Sequence, residues 1–149
     1  MSIEKIEIGK MSDLKDLMRI EIESFGDDAF SKTQMTYLLS KAKGSFFVAR
    51  SERELMGYVS FLVSDRYRNG RIYAIAVNSK YRGQGVARAL LTEVLSRGKN
   101  QQLNKVFLEV RTDNQAAINL YKQNGFEYRS EKKNYYHDGS SAYSMVLFL

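Results

Sequence analysis

The stretch Leu108-Glu109-Val110-Arg111 sets a carboxylate inside an apolar run. Strand alternation puts Val106, Leu108 and Val110 on one face and Phe107, Glu109 and Arg111 on the other. A carboxylate so placed suits a general base, though a surface pair with Arg111 near the strand end is the simpler reading. A few residues on, Asn114 opens the run NQAAINLY. Tyr121 lies about two helical turns along, on the same face as Ala117. Its hydroxyl, with an ordinary pKa near ~10, can give a proton to a neighbouring site, or its ring can fill a core. Further on stand Lys132-Lys133-Asn134-Tyr135-Tyr136. Adjacent tyrosines in a strand point to opposite faces, which leaves one of them available for binding.

A different chemistry is suggested by the loop Tyr81-Arg82-Gly83-Gln84-Gly85 and the helix pattern that begins there. Amides at a helix start point outward with the positive end of the dipole, and glycine lets a phosphate approach the backbone. Arg82 and Arg88 add charge. The loop is not a Walker loop, because no Gly-Lys-Ser/Thr follows, and it lacks the G-x-G-x-x-G spacing. Two glycines alone leave a pyrophosphate cradle and a plain strand-to-helix turn equally open.

Other chemistries are excluded by composition. The chain has no cysteine, so disulfides, thiolate metal sites and a Cys nucleophile are ruled out. Its one histidine, His137, sits in the turn-like segment HDGSS and reads as an exposed loop residue. A multi-histidine metal site is impossible, and a Ser-His-Asp triad would have to use this residue. The net charge of +6 suits an anionic partner: nucleic acid, an anionic membrane or a phosphorylated cofactor. The alternating N-terminus MSIEKIEIGK has no signal-peptide run, and no apolar run could span a bilayer. A cytoplasmic protein is expected.

The elements that must position these residues follow from periodicity. A length of 149 residues suits one domain, 1–149. Ile3, Ile6 and Ile8 make a first strand. Leu14, Leu17, Met18, Ile22 and Phe25 follow a helical period behind Ser12 as N-cap. Ser31 and Gln34 form a capping-box pattern before a second helix. Residues 45–51 and 55–64 read as a hairpin, and residues 71–77 as a fourth strand. Val86, Ala87, Leu90, Leu91, Val94 and Leu95 mark a helix stopping near Gly98. Residues 105–110 are a fifth strand. Asp113 or Asn114 caps a fourth helix ending at Asn124-Gly125. Residues 126–136 and 142–149 form a last strand pair. The order β-α-α-β-β-β-α-β-α-β-β predicts an α/β (α+β) domain, a mixed sheet with helices on its faces.

Together these segments resemble the GNAT superfamily of acyl-CoA-dependent N-acyltransferases. The superfamily signature Gln/Arg-x-x-Gly-x-Gly/Ala stands here as Arg82-Gly83-Gln84-Gly85-Val86-Ala87, after Ile75-Ala76-Val77. The run LEVRTDNQAAINLYKQNGF, followed by KKNYYHDG, is more specific. It looks like the protein N-terminal acetyltransferase branch, which includes the ribosomal-protein-alanine acetyltransferases and their archaeal relatives. The likeness covers about half the chain, from residue 72 onward. It departs at Gly83, where relatives often carry a larger basic residue, and at Ser140-Ser141, where they commonly carry Glu-Asp.

The resemblance implies a mostly antiparallel sheet of six to seven strands with about four helices and splayed fourth and fifth strands. It implies acetyl-CoA as co-substrate and no metal. The backbone of Ile75, Ala76 and Val77 would bind the pantetheine arm and polarise the thioester carbonyl. Arg82, Gly83, Gln84, Gly85, Val86, Ala87 and Arg88 would cradle the pyrophosphate, and Asn114 would bond the cofactor near its pantetheine. Glu109 matches the general base and Tyr121 the general acid. Tyr135 and Tyr136 match tyrosines that contact the substrate peptide. The loop at residues 26–30 would shape the substrate groove.

The implied partner is a protein or peptide N-terminus, such as that of a ribosomal protein, with no membrane and no specific nucleic acid. The same chemistry on a small amine or a lysine side chain is the alternative, since one fold hosts them all. A non-enzymatic RNA- or ribosome-binding module is the third reading, supported by charge alone.

Overall fold

The computed structural model describes residues 2–42 and 45–149. Its strands are β1 (Lys5–Ile8), β2 (Phe46–Arg50), β3 (Leu55–Ser64), β4 (Asn69–Val77), β5 (Lys105–Arg111), β6 (Glu127–Lys132) and β7 (Ala142–Phe148). Its helices are α1 (Leu14–Phe25), α2 (Lys32–Lys41), α3 (Val86–Asn100) and α4 (Gln115–Gln123). The predicted element order is thus present. The strands form one seven-stranded sheet in the order β1-β2-β3-β4-β5-β7-β6. Every neighbouring pair is antiparallel except β4 and β5. A parallel pair needs a crossover, and α3 supplies it.

The sheet buries both faces, though unequally. On one face α3 and α4 bring Leu90, Leu91, Val94 and Ile118 against Val106, Leu108 and Val110 of β5. Each such aliphatic side chain contributes about 1.5–3 kcal/mol when fully buried. On the other face Leu17 and Ile20 of α1 and Met35 and Leu39 of α2 cover Phe46, Val48 and Tyr58. That second layer lies over β2, β3 and β4. Beyond it, the face of β5 carrying Phe107, Glu109 and Arg111 borders an open cavity.

The pairing of β4 with β5 is short. It runs from Asn69↔Lys105 to Ile72↔Leu108, while β4 continues to Val77 and β5 to Arg111. The two strands therefore splay, as expected. A Cβ at Gly57 of β3 would meet Ala76 O at 2.6 Å and Val86 Cγ1 at 3.2 Å. Glycine at 57 thus lets the start of α3 sit close on the sheet beside the splay. No helix among the described residues is long and apolar enough to cross a membrane.

Several sequence expectations need correction. Ser12 is not the N-cap of α1. A 3-10 turn precedes the helix, and Asp13 takes the cap position. There its carboxylate accepts the Lys10 amide at 2.8 Å and two bonds from Arg50 at 2.8 and 2.9 Å. Ile22 is 55% exposed, and Glu21 is buried instead. α3 runs past Gly98, whose bare Cα lies close to Leu149. β4 begins earlier, at Asn69, and β5 ends one residue later, at Arg111. β6 stops at Lys132, because the following segment turns: Asn134 has φ 55°. The Tyr135 and Tyr136 amides both donate to Ser140 O, at 3.0 and 3.1 Å. The Ser31–Gln34 capping box is present, with bonds of 3.1 and 2.8 Å.

Candidate active site

The splay is the centre of the site. Asn78 N–H donates to Met56 O at 2.8 Å. Hydrogen-bonding direction alternates along an antiparallel strand, so the amides of Val77 and Ile75 face away from β3, into the gap. At one end of the gap the chain turns at Gly83 (φ +77°) and Gly85 (φ +82°) and enters α3. Backbone in this left-handed region favours glycine. A Cβ at either position would meet nothing within 4 Å, so the backbone is open to a ligand. Gly85 offers no side-chain cap, and the first amides of α3 have no partner within the helix. The residues present thus fit a diphosphate. Arg82 and Arg88 are exposed beside it, Arg82 donating to Val77 O at 3.3 Å and Arg88 to Gln123 Oε1 at 3.0 Å. Gln84 is also exposed. Val86 is buried in the core and Ala76 in the sheet, so only their backbones are available to a ligand.

At the other end lies a cavity of about 820 Å³. Ile75, Glu109, Asn114, Tyr121, Tyr135 and Tyr136, read from separate segments of the sequence, all line it. Asn114 is the N-cap of α4, with its side chain accepting the Ala117 amide at 3.2 Å. The carboxylate of Glu109 is only 5% exposed. It does not pair with Arg111. Its Oε1 accepts Arg71 Nη2 at 2.5 Å, and its Oε2 accepts Lys132 Nζ at 3.4 Å. Tyr121 packs its ring edge-on against Phe126, with centroids 5.7 Å apart. Burial, with a smaller push from Tyr136, raises its phenol above the ordinary tyrosine value. Protonated at neutral pH, it has a proton to give.

Tyr135 and Tyr136 are not on opposite faces of a strand. They lie in the β6–β7 turn, rings edge to face at 5.0 Å, and both reach the cavity. Burial first, and then Tyr135, pushes the Tyr136 phenol up to about 12. His137 is exposed, as expected, and lines the rim.

Residues that sequence reasoning missed tie the walls together. Arg111 pairs with Asp28 in the α1–α2 turn and with Asp138 in the β6–β7 turn, the latter at 3.0 Å. Its guanidinium lies 4.3 Å from the Tyr136 ring centroid. The His137 amide donates to Asp28 at 3.3 Å. Glu21, 2% exposed, accepts the Tyr58 hydroxyl and, at 2.8 Å, the Phe30 amide. Burial raises the Glu21 carboxyl above the ordinary range, against those two bonds. The missed signal was spacing: Leu14, Leu17, Met18, Glu21 and Phe25 make the more regular helical stripe.

A family model described as the acetyltransferase (GNAT) family matches residues 14–126. The chain belongs to the GNAT acetyltransferase family. An N-alpha-acetyltransferase of Sulfurisphaera tokodaii is 35% identical over 119 residues, 72% of this chain and 71% of that one. The N-alpha-acetyltransferase RimI of Mycobacterium tuberculosis is 32% identical over 148 residues, covering 95% and 92%. The solved structure of Ard1 from Thermoplasma volcanium matches this GNAT chain with a TM-score of 0.88 at 30% identity, covering 97% of each chain. The seven-stranded mixed sheet is the GNAT fold, and the chain is an acyltransferase.

Proposed function

We propose that this acetyltransferase moves an acetyl group from acetyl-CoA to the N-terminal α-amine of a protein or peptide, in the cytoplasm. The observation that carries this reading is the gap between β4 and β5. It has a glycine-formed helix start at one end and a carboxylate-bearing cavity, walled by two turns, at the other. The similarity to N-alpha-acetyltransferases supports the choice of acceptor.

Acetyl-CoA supplies the activated acyl group. The amides starting α3, with Arg82 and Arg88, hold the pyrophosphate in this reading, and Asn114 holds the pantetheine arm. An α-amine has a pKa of about 7.7–8.0 and arrives largely protonated at neutral pH. Glu109 takes that proton. The amine then attacks the thioester carbon, a C–N bond forms, and the C–S bond breaks. The Val77 amide stabilises the oxygen on which charge develops. Tyr121 gives a proton to the departing thiolate and is reprotonated by the second proton that the new amide nitrogen sheds. Tyr135, Tyr136 and the turn at residues 26–30 line the path of the acceptor chain. No covalent enzyme intermediate is required.

The test is a set of peptides differing in their first two residues, each with its α-amine free or blocked and with or without lysine, incubated with acetyl-CoA and read by mass. Acetylation confined to free α-amines is expected. Modification of lysine in α-blocked peptides, with none at the N-terminus, would contradict the reading.

A further inference from the structure

Glu109 carries a cation on each carboxylate oxygen, and the two cations are held differently. Arg71 is fixed from several sides. Besides its bond to Oε1, Nη2 reaches the Tyr135 hydroxyl at 3.0 Å and Nη1 the Tyr73 hydroxyl at 3.3 Å. The guanidinium lies 4.2 Å from the Tyr73 ring centroid and 5.9 Å from that of Phe107, and the side chain is 28% exposed. Tyr73 in turn packs on Phe30, centroids 6.3 Å apart, whose amide Glu21 holds. A planar fork so surrounded has little freedom to leave.

Lys132 is held loosely. It is the last residue of the edge strand β6, 47% exposed, with its ammonium 3.4 Å from Oε2 and 5.6 Å from the Tyr135 ring centroid. It is also a primary ammonium. The acceptor's α-ammonium brings the same charge and the same three N–H donors to the same carboxylate. A carboxylate this buried is costly to leave with an unpaired oxygen, so an exchange of one ammonium for another is the economical way to admit the acceptor.

We propose that Lys132 is a placeholder whose ammonium occupies the Glu109 Oε2 position taken by the acceptor's α-ammonium, while Arg71 stays and fixes the carboxylate through the exchange. The proposal rests on the reading of Glu109 as the base. Acceptor binding then works against the Lys132–Glu109 contact, so Lys132 sets the acceptor KM, and Arg71 is a positioning residue that acts on kcat through Glu109.

Initial rates against peptide concentration, at saturating acetyl-CoA and neutral pH, test this. Lys132→Met keeps the length of the side chain and removes the ammonium. It should lower the peptide KM roughly three- to five-fold, the scale of an exposed ion pair, without lowering kcat. Arg71→Lys keeps charge but loses the fork, and should lower kcat with little change in KM. In a Glu109→Gln background, Lys132→Met should leave KM where Glu109→Gln alone sets it. The exchange is overturned if Glu109→Gln is impaired yet Lys132→Met leaves the peptide KM unchanged or raised. It is also overturned if the KM drop persists in the Glu109→Gln background. Glu109→Gln turning over like wild type removes the base itself, and the exchange with it.

Discussion

Arg71 Nη2 lies 2.5 Å from Glu109 Oε1 at the place where β4 and β5 stop pairing. Arg71 is still within the ladder, opposite Phe107, and Glu109 is one residue past its end at Leu108. A side-chain ion pair thus closes the root of the fork, and backbone separation opens the rest of it. This joins the proposed base to the strand whose amides face the proposed thioester position.

The proposed cofactor cradle is open to test at Gly85. At 100 times its Kd, acetyl-CoA should stabilise the wild type by about 2.7 kcal/mol. Gly85→Glu introduces left-handed strain of roughly 1–2 kcal/mol and a negative charge where the pyrophosphate would sit. The variant should fold with a lower melting temperature that acetyl-CoA no longer raises. A full ligand-induced rise in that variant would move the pyrophosphate elsewhere.

Tyr121→Phe tests the acid. The ring and its contact with Phe126 remain, and only the hydroxyl is lost. Turnover should fall roughly 10²–10⁴-fold with acetyl-CoA affinity nearly unchanged. Turnover within a few-fold of wild type would make Tyr121 a packing residue.

The fold was legible because α3, β5 and α4 keep their apolar periods, and Asn114 and Ser31 are capping residues in capping positions. Glu109 and Tyr121 stood out as a carboxylate beside an apolar strand face and a hydroxyl on a buried helix face, and the resemblance to the GNAT superfamily supplied their proposed roles. Arg71 was not, since nothing along β4 says that its neighbour on β5 is acidic. Only the parallel register of β4 and β5, set by the α3 crossover, brings it beside Glu109. The Asp28–Arg111–Asp138 tie was hidden for the same reason: its members are 83 and 27 residues apart. Ser12 misled because Asp13 sits next to it and has a distant arginine to bind.

Acid sensitivity should trace to Asp13. Its own burial opposes ionisation, but Arg50 and the Lys10 amide hold its carboxyl below the ordinary value. A depressed carboxyl stabilises the fold above its unfolded pKa of about 3.9, and that contribution fades as pH falls through the lower folded value. Asp13→Asn should cost roughly 1–3 kcal/mol at pH near neutral and flatten the loss at low pH. Denaturant titrations at several pH values measure both, and an unchanged acid slope would exonerate Asp13.

Glu21 should behave oppositely. Its raised carboxyl favours the protonated folded form, so its contribution is full below the unfolded value of about 4.3 and is lost as pH rises through the folded value. Glu21→Gln removes the buried charge, keeps an acceptor for the Phe30 amide and turns an NH2 donor toward the Tyr58 hydroxyl oxygen. It should raise the melting temperature at mildly alkaline pH, by an amount that shrinks as pH falls toward the ordinary glutamate value of about 4.3. Glu21→Ala strands both donors and should cost roughly 1–3 kcal/mol. A Gln variant less stable at every pH would show that the charge itself is wanted there.

In the proposed mechanism Glu109 accepts the proton of the acceptor amine. The direct measurement is kcat/KM against pH for wild type and Glu109→Gln with one good peptide, over a range of about 6.5–9.5 set around the amine pKa of ~8. The substitution keeps the shape and one acceptor oxygen, enough for Arg71, and removes basicity. The variant should show a large deficit at neutral pH that narrows as pH rises, because the amine then arrives already neutral. A constant ratio between the two enzymes across the whole range would contradict that mechanism.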